Sequence, residues 1–147
     1  MKEKEVIFEK KIKFKVMIRV GAYAQCIDMT GVNFVKIFKV LGASYKNNIT
    51  LGDVVYVVIR GVDTSSHYLK DERMKFKFRV GSIHRAIVVH MRQKYIRKNK
   101  SFLWFPWNAV ILVSKQRMPF SKKIKAGIPR EVADKYPIIG SISPRIL

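Results

Sequence analysis

Between Asn33 and Val113 the chain is a succession of short β-branched and aromatic runs closed by turn residues, a spacing that suits antiparallel strands and little else. Asn33 to Leu41 (NFVKIFKVL) lies between Thr30-Gly31 and Gly42, and Val54 to Arg60 (VVYVVIR) follows Gly52-Asp53. Both read as strands, the second largely buried. Ile12, Phe14, Val16, Ile18 and Val20 alternate with Lys11, Lys13, Lys15, Met17 and Arg19, the period of a strand with one wet, cationic face. Phe76, Phe78 and Val80 alternate in the same way with Lys75, Lys77 and Arg79, predicting another strand. Ile83 to Met91 and Phe102 to Val113 form a pair joined by the polar tract Arg92 to Lys100, a long hairpin with a basic tip. With almost no helical periodicity before residue 130, these segments predict a small antiparallel barrel, whose closure hides the strand edges. One short helix is expected from Arg130 to Tyr136, with Pro129 at its start and Pro137 ending it.

Charge narrows the function. The 147 residues make one domain with a core, since 48% are hydrophobic, yet 30 Lys and Arg face 10 Asp and Glu for a net charge of +20. A disordered basic tail would lack that apolar content, and an ordinary metabolic enzyme would lack that charge. The cations cluster: residues 70–100 hold 11 against 2 acids, and residues 115–130 hold 6 against none. A surface charged for solubility mixes the signs, so the pattern predicts a folded core whose basic edges meet a polyanion, nucleic acid above all. No run approaches the roughly 18 apolar residues of a membrane-spanning helix.

Catalytic chemistry is not legible. Asp28, Asp53, Asp63 and Asp71 lie in turn sequences where a short carboxylate caps backbone N–H groups. His84 and His90, six apart and so expected on one face of a strand, match no metal-ligand spacing with His67, and no metal or other cofactor is expected. Cys26 reads as a small core residue. Cations at alternate strand positions recur about every 7 Å, near the spacing of phosphates along one strand. Tyr95, Phe102, Trp104 and Trp107 lie in and beside the most basic tract, placed to stack on unpaired bases or on a protein neighbour, with Tyr95 the better candidate. Phe102, Trp104 and Phe105 are expected to pack into the barrel as strand aromatics usually do.

From about Ile18 to Leu147 the chain resembles the universal large-ribosomal-subunit protein fourteen (L-fourteen) family. The resemblance rests on Asp28-x-Thr-Gly31, Lys39-Val-Leu-Gly42, Gly52-Asp53-Val-Val, Lys77-Phe-Arg-Val, Ala86-Ile-Val-Val89, Asn108-Ala109, Arg130-Glu131 and Ser143-Pro-Arg-Ile-Leu147, in the family's order and near its spacing. Its most specific part is Ala86-Ile-Val-Val, nine residues, Asn99, then Phe105, Asn108 and Ile111-Leu112. Family members usually carry Gly where Lys100 stands and Pro where Gly127 stands. The hairpin turn and the approach to the C-terminal helix are therefore expected to be shaped differently here.

The resemblance implies a five-stranded β-barrel with a projecting hairpin and a small helical C-terminal region, over residues 18–147, with residues 1–17 as an N-terminal extension. It implies a non-catalytic constituent of the large ribosomal subunit that binds large-subunit rRNA, touches neighbouring ribosomal proteins and contributes to an intersubunit bridge. The expected rRNA contacts are Lys36, Lys39, Lys46, Arg60, Lys75, Lys77, Arg79, Arg85, Arg92, Lys94, Tyr95, Arg97, Lys98, Lys100, Lys115, Arg117 and Arg130. Lys122, Lys123 and Lys125 are expected at the subunit interface, facing small-subunit rRNA or an acidic anti-association factor. Phe, Tyr, Met, Ile, Asn and Lys outnumber Gly, Ala, Arg and Pro about two to one, the bias of AT-rich codons. The N-terminal residues mix Glu3, Glu5 and Glu9 with lysines, unlike a transit peptide. Together these predict a mitochondrial ribosomal protein encoded in the organelle. A free RNA-binding barrel protein, acting as a regulator or assembly factor, is the competing reading.

Overall fold

The computed structural model describes residues 18–42, 48–63 and 65–147. Its centre is a closed barrel of five strands, β2 (Tyr23–Cys26), β3 (Val32–Val40), β5 (Val54–Val62), β6 (Ile83–His90) and β9 (Ala109–Val113). Neighbours run antiparallel around the barrel until β9 closes it by pairing parallel with β2, Gln25 opposite Ala109 and Cys26 opposite Val110. Two small pairs flank it: β1 (Ile18–Arg19) with β4 (Asn48–Ile49), and β7 (Tyr95–Ile96) with β8 (Phe102–Leu103). The mainly β architecture and the barrel agree with the expectation from the sequence. Lys46 and most of the predicted strand from Lys11 to Val20 lie outside the described residues.

From Ala86 onward β6, and the whole of β9, are buried on both faces, which is why Ala86–Val89 and Ala109–Val113 read as continuous apolar runs. Ala86, Val88, Val110 and Leu112 face the barrel interior with Val35, Ile37, Val55, Val57 and Ile59. Ile87, Val89, Ala109, Ile111 and Val113 point outward into a second cluster, covered by Ile124, Ile128, Val132 and Ile139. The covering residues come from an irregular strap after β9 and from α2 (Arg130–Lys135) and α3 (Pro137–Ile142).

Three predicted elements are different. Residues around Phe76 form a helix, α1 (Glu72–Lys77), with Asp71 as its N-cap accepting from the Arg73 N–H, and not a strand. The alternation there carried no buried stripe: Phe76 is exposed and only Phe78, just past the helix, is buried. Phe102 to Val113 is two strands, because the intervening Pro106 has no N–H for a ladder and the chain bends at Pro106-Trp107. Pro137 does not end the helical region. It sits at the first position of α3, where its missing N–H costs nothing, so one expected helix is two.

Candidate nucleic-acid interface

Four of the aspartates among the described residues are held in turns of the chain itself. Asp28 is fully buried and accepts from the Thr30 hydroxyl at 2.6 Å, the Leu112 N–H at 3.1 Å and the Cys26 thiol at 3.0 Å. Burial, with the Asp28 charge beside it, pushes the Cys26 thiol well above its usual value, which makes it an inert core residue as expected. Asp53 accepts from the N–H and hydroxyl of Thr50, Asp63 from those of Ser65, and Asp71 caps α1. The two Ser65 hydrogen bonds hold the Asp63 carboxyl below the usual carboxylate range. Between described residues the ion pair is Arg97 with Glu131, at 2.7 Å. Among the described residues most other cations face solvent, with no described acid in an ion pair with them.

Two basic turns of one design stand at opposite ends of the β6–β9 pair. In the first, the Arg97 N–H donates to the Ser101 carbonyl and the Lys100 N–H to the Arg97 carbonyl. In the second, the Ser114 N–H donates to the Met118 carbonyl and the Arg117 N–H to the Ser114 carbonyl. Each is a three-residue loop whose last position needs a left-handed backbone, a place usually given to glycine. Here cations occupy it: Lys100 has φ 67° and Arg117 φ 62°. Lys100 thus adopts the conformation that glycine favours. Asn99 supports the first turn by accepting from the Ser101 N–H and hydroxyl. Lys98, Lys100, Lys115 and Arg117 are all exposed.

The other predicted residues are spread over strands, hairpin and helices. Lys39, Arg60, Lys75, Lys77, Arg79, Arg92, Lys94 and Arg130 are exposed, whereas Lys36, Arg85 and Tyr95 are half-buried. Several cations lie over rings: Lys36 over Tyr23, Arg79 over Phe76, Arg85 over Tyr56, Lys94 over Phe102 and Lys77 over Phe120. Arg97 is engaged inside the protein, pairing with Glu131 and donating to the Leu147 carbonyl at 2.7 Å, so it ties the hairpin to the C-terminal end. Lys122, Lys123 and Lys125 point outward from the strap, whose Ser121, Ile124 and Ile128 are buried beneath them.

The imidazoles serve packing. His84 lies against Phe78 and donates from Nε2 to the Lys77 carbonyl at 2.8 Å. A register shift between Val88 and His90 breaks the alternation, and His90 instead stacks on Phe105 at 3.8 Å and donates from Nε2 to the Gly127 carbonyl at 2.7 Å. The two do not share a face. Burial lowers the pKa of both.

Aromatic placement departs most from expectation. Phe102 and Trp104 are 63% and 57% exposed and do not fill the barrel, and Phe105 is half-buried, stacked on His90. A set that the sequence reading missed lies on β2, β3 and β5: Tyr23 with Phe34, centroids 6.5 Å apart, and Phe38 stacked on Tyr56 at 6.1 Å. The signal was present in β3, where Phe34, Lys36 and Phe38 share one strand parity, and a lysine in the middle marks that face as wet.

A barrel built from these motifs, with the Asp28–Thr30 turn buried at its seam and basic turns at its ends, agrees with a match over residues 17–147 to the family model described as ribosomal protein L14p/L23e. Large-subunit ribosomal structure is the role that this family supports. The chain belongs to the ribosomal protein L14p/L23e family.

Proposed function

We propose that this protein binds large-subunit rRNA through its hairpin and exposed strand cations, and that the strap lysines Lys122, Lys123 and Lys125 lie at the subunit interface. The observation that carries the reading is the fate of the acids. With Asp28, Asp53, Asp63 and Asp71 hydrogen-bonded in turns and Glu131 paired to Arg97, only Glu72 and Asp134 remain among the described acids, too few for the exposed cations, which suits an external polyanion. Phosphate contacts would come from Arg92, Lys94, Lys98 and Lys100 on the hairpin and Lys115 and Arg117 on the second turn. Replacing the four hairpin cations by alanine is expected to reduce incorporation into large subunits severalfold, measured by sedimentation and immunoblot; wild-type incorporation would refute the assignment.

Lys122→Glu with Lys123→Glu tests the interface. Normal large subunits that join small subunits poorly are expected, whereas failed large-subunit assembly would place these lysines on large-subunit rRNA. The same lysines offer a docking patch for an acidic anti-association factor when the subunits are apart. The codon-type bias supports a mitochondrial, organelle-encoded member. Synthesis that continues while organellar translation alone is blocked would overturn that origin. A structural constituent stays with large subunits through a high-salt wash, and a free regulator washes off.

A further inference from the structure

Tyr23, Gln25, Phe34, Arg92, Pro106 and Trp107 line a notch of about 360 Å³ at the seam where β2 meets the start of β9. That volume is at the lower end of small-ligand sites, roughly 300–1,000 Å³. Three aromatic rings from separate elements meet there and stay open to solvent, Tyr23 57%, Phe34 43% and Trp107 39% exposed. Their placement is held from below. Asn108 accepts from the Arg92 N–H at 2.9 Å and its own carbonyl accepts from the Gln25 N–H at 2.8 Å, fastening the hairpin base to β2. Phe34 lies directly over Gly61, where any added Cβ would overlap its ring. Among the described residues, neither the Gln25 amide nor the Arg92 guanidinium has a side-chain partner, and Lys36 stands over the outer face of Tyr23.

We infer that this notch takes one unpaired RNA base, stacked among Tyr23, Phe34 and Trp107, with Arg92 on its phosphate and the Gln25 amide on its edge. The chemistry is complementary at each point. Aromatic faces accept any base, a guanidinium pairs with phosphate oxygens, and an amide offers both a donor and an acceptor to a base edge. An apolar protein side chain would fill the rings equally well but would leave Arg92 and Lys36 without a counter-charge, so RNA is the better occupant. The inference rests on the RNA-binding reading above and adds to it a distinction between paired and unpaired RNA.

Two tryptophans make the test direct. In full-length protein carrying Trp104→Phe, an exposed position, Trp107 is the sole tryptophan. Titration with a single-stranded RNA oligonucleotide is expected to quench its emission, while a blunt, fully paired duplex of the same length binds without quenching. Trp107→Leu or Tyr23→Ala should weaken single-strand binding roughly five- to a hundredfold and leave duplex binding within about twofold. Gly61→Ala, which displaces the Phe34 ring and removes no functional group, should weaken single-strand binding alone. Equal quenching by both RNAs, or single-strand binding that leaves Trp107 emission and the Tyr23→Ala affinity unchanged, overturns the base site and leaves the RNA reading standing. Failure to bind either RNA overturns both.

Discussion

Lys100 and Arg117 keep cations where glycine would relieve the backbone, and each left-handed non-glycine residue costs about 1 kcal/mol. That cost is tolerable where the side chain serves an external ligand. Lys100→Gly is therefore expected to raise unfolding stability by about 0.5–1 kcal/mol in urea titrations while weakening RNA binding; a variant that loses stability would show that the turn is not strained. Asp28 is the opposite case, a residue whose whole worth is internal. Asp28→Ala leaves the Leu112 N–H and the Thr30 hydroxyl buried without an acceptor, and about 3 kcal/mol of stability should go with it. Asn at the same position, which keeps one acceptor oxygen, should recover part of the loss.

At the scale of elements, β6 and β9 are sandwiched between the barrel interior and the C-terminal strap and helices. The C-terminal region is thus part of the core and no appendage. Ile139→Ala, which opens a cavity over the outer face of these strands, is expected to cost about 2–4 kcal/mol by urea unfolding, far more than truncating exposed Ile138 in the same helix. His90 fastens the strap through Gly127 and stacks on Phe105 from the hairpin side. Its Nδ1 is buried without a partner among the described residues, so protonation there would bury an uncompensated charge. Burial lowers its pKa in the folded protein, so below the ordinary value near 6.5 the unfolded chain takes up a proton that the folded one resists. Its contribution to stability is complete above about pH 6.5 and falls as the pH drops toward the lowered folded value. His90→Asn should flatten the decline of the urea midpoint between pH 7 and pH 5.5, and an unchanged decline would remove His90 from the account.

Across the described residues the closed barrel is covered on one side by the C-terminal region and carries exposed cations and rings elsewhere. With a net charge of +20, binding to RNA should be strongly dependent on salt. Each hairpin cation removed that had met a phosphate should reduce the slope of log K against log salt by about 0.7–0.9, readable by filter binding of an rRNA fragment at several salt concentrations. Alanine at Arg97, by contrast, should leave the slope nearly unchanged and loosen the hairpin, because its charge is already met by Glu131. A slope that drops equally for Arg97 and Lys98 would contradict the division between inward and outward cations.

The sequence by itself determined the β class, the glycine and aspartate turns, the cationic hairpin and the family resemblance. All of these depend on local period, turn chemistry or motif order, which a single chain carries in the open. Only the tertiary structure decided which faces are covered. The alternation at Lys75–Arg79 looked like a strand but had no sheet to join, and the Asp71 cap turned it into α1. Trp104 and Phe102 looked like core but lie beyond the bend at Pro106, where the barrel has already closed without them. Trp107 was legible as a stacking candidate beside the basic tract, but its company with Tyr23 and Phe34 was not: the rings are separated by as many as 84 residues and meet only because β2 pairs in parallel with β9. Burial is set by what arrives from elsewhere in the chain, and no local rule reports that.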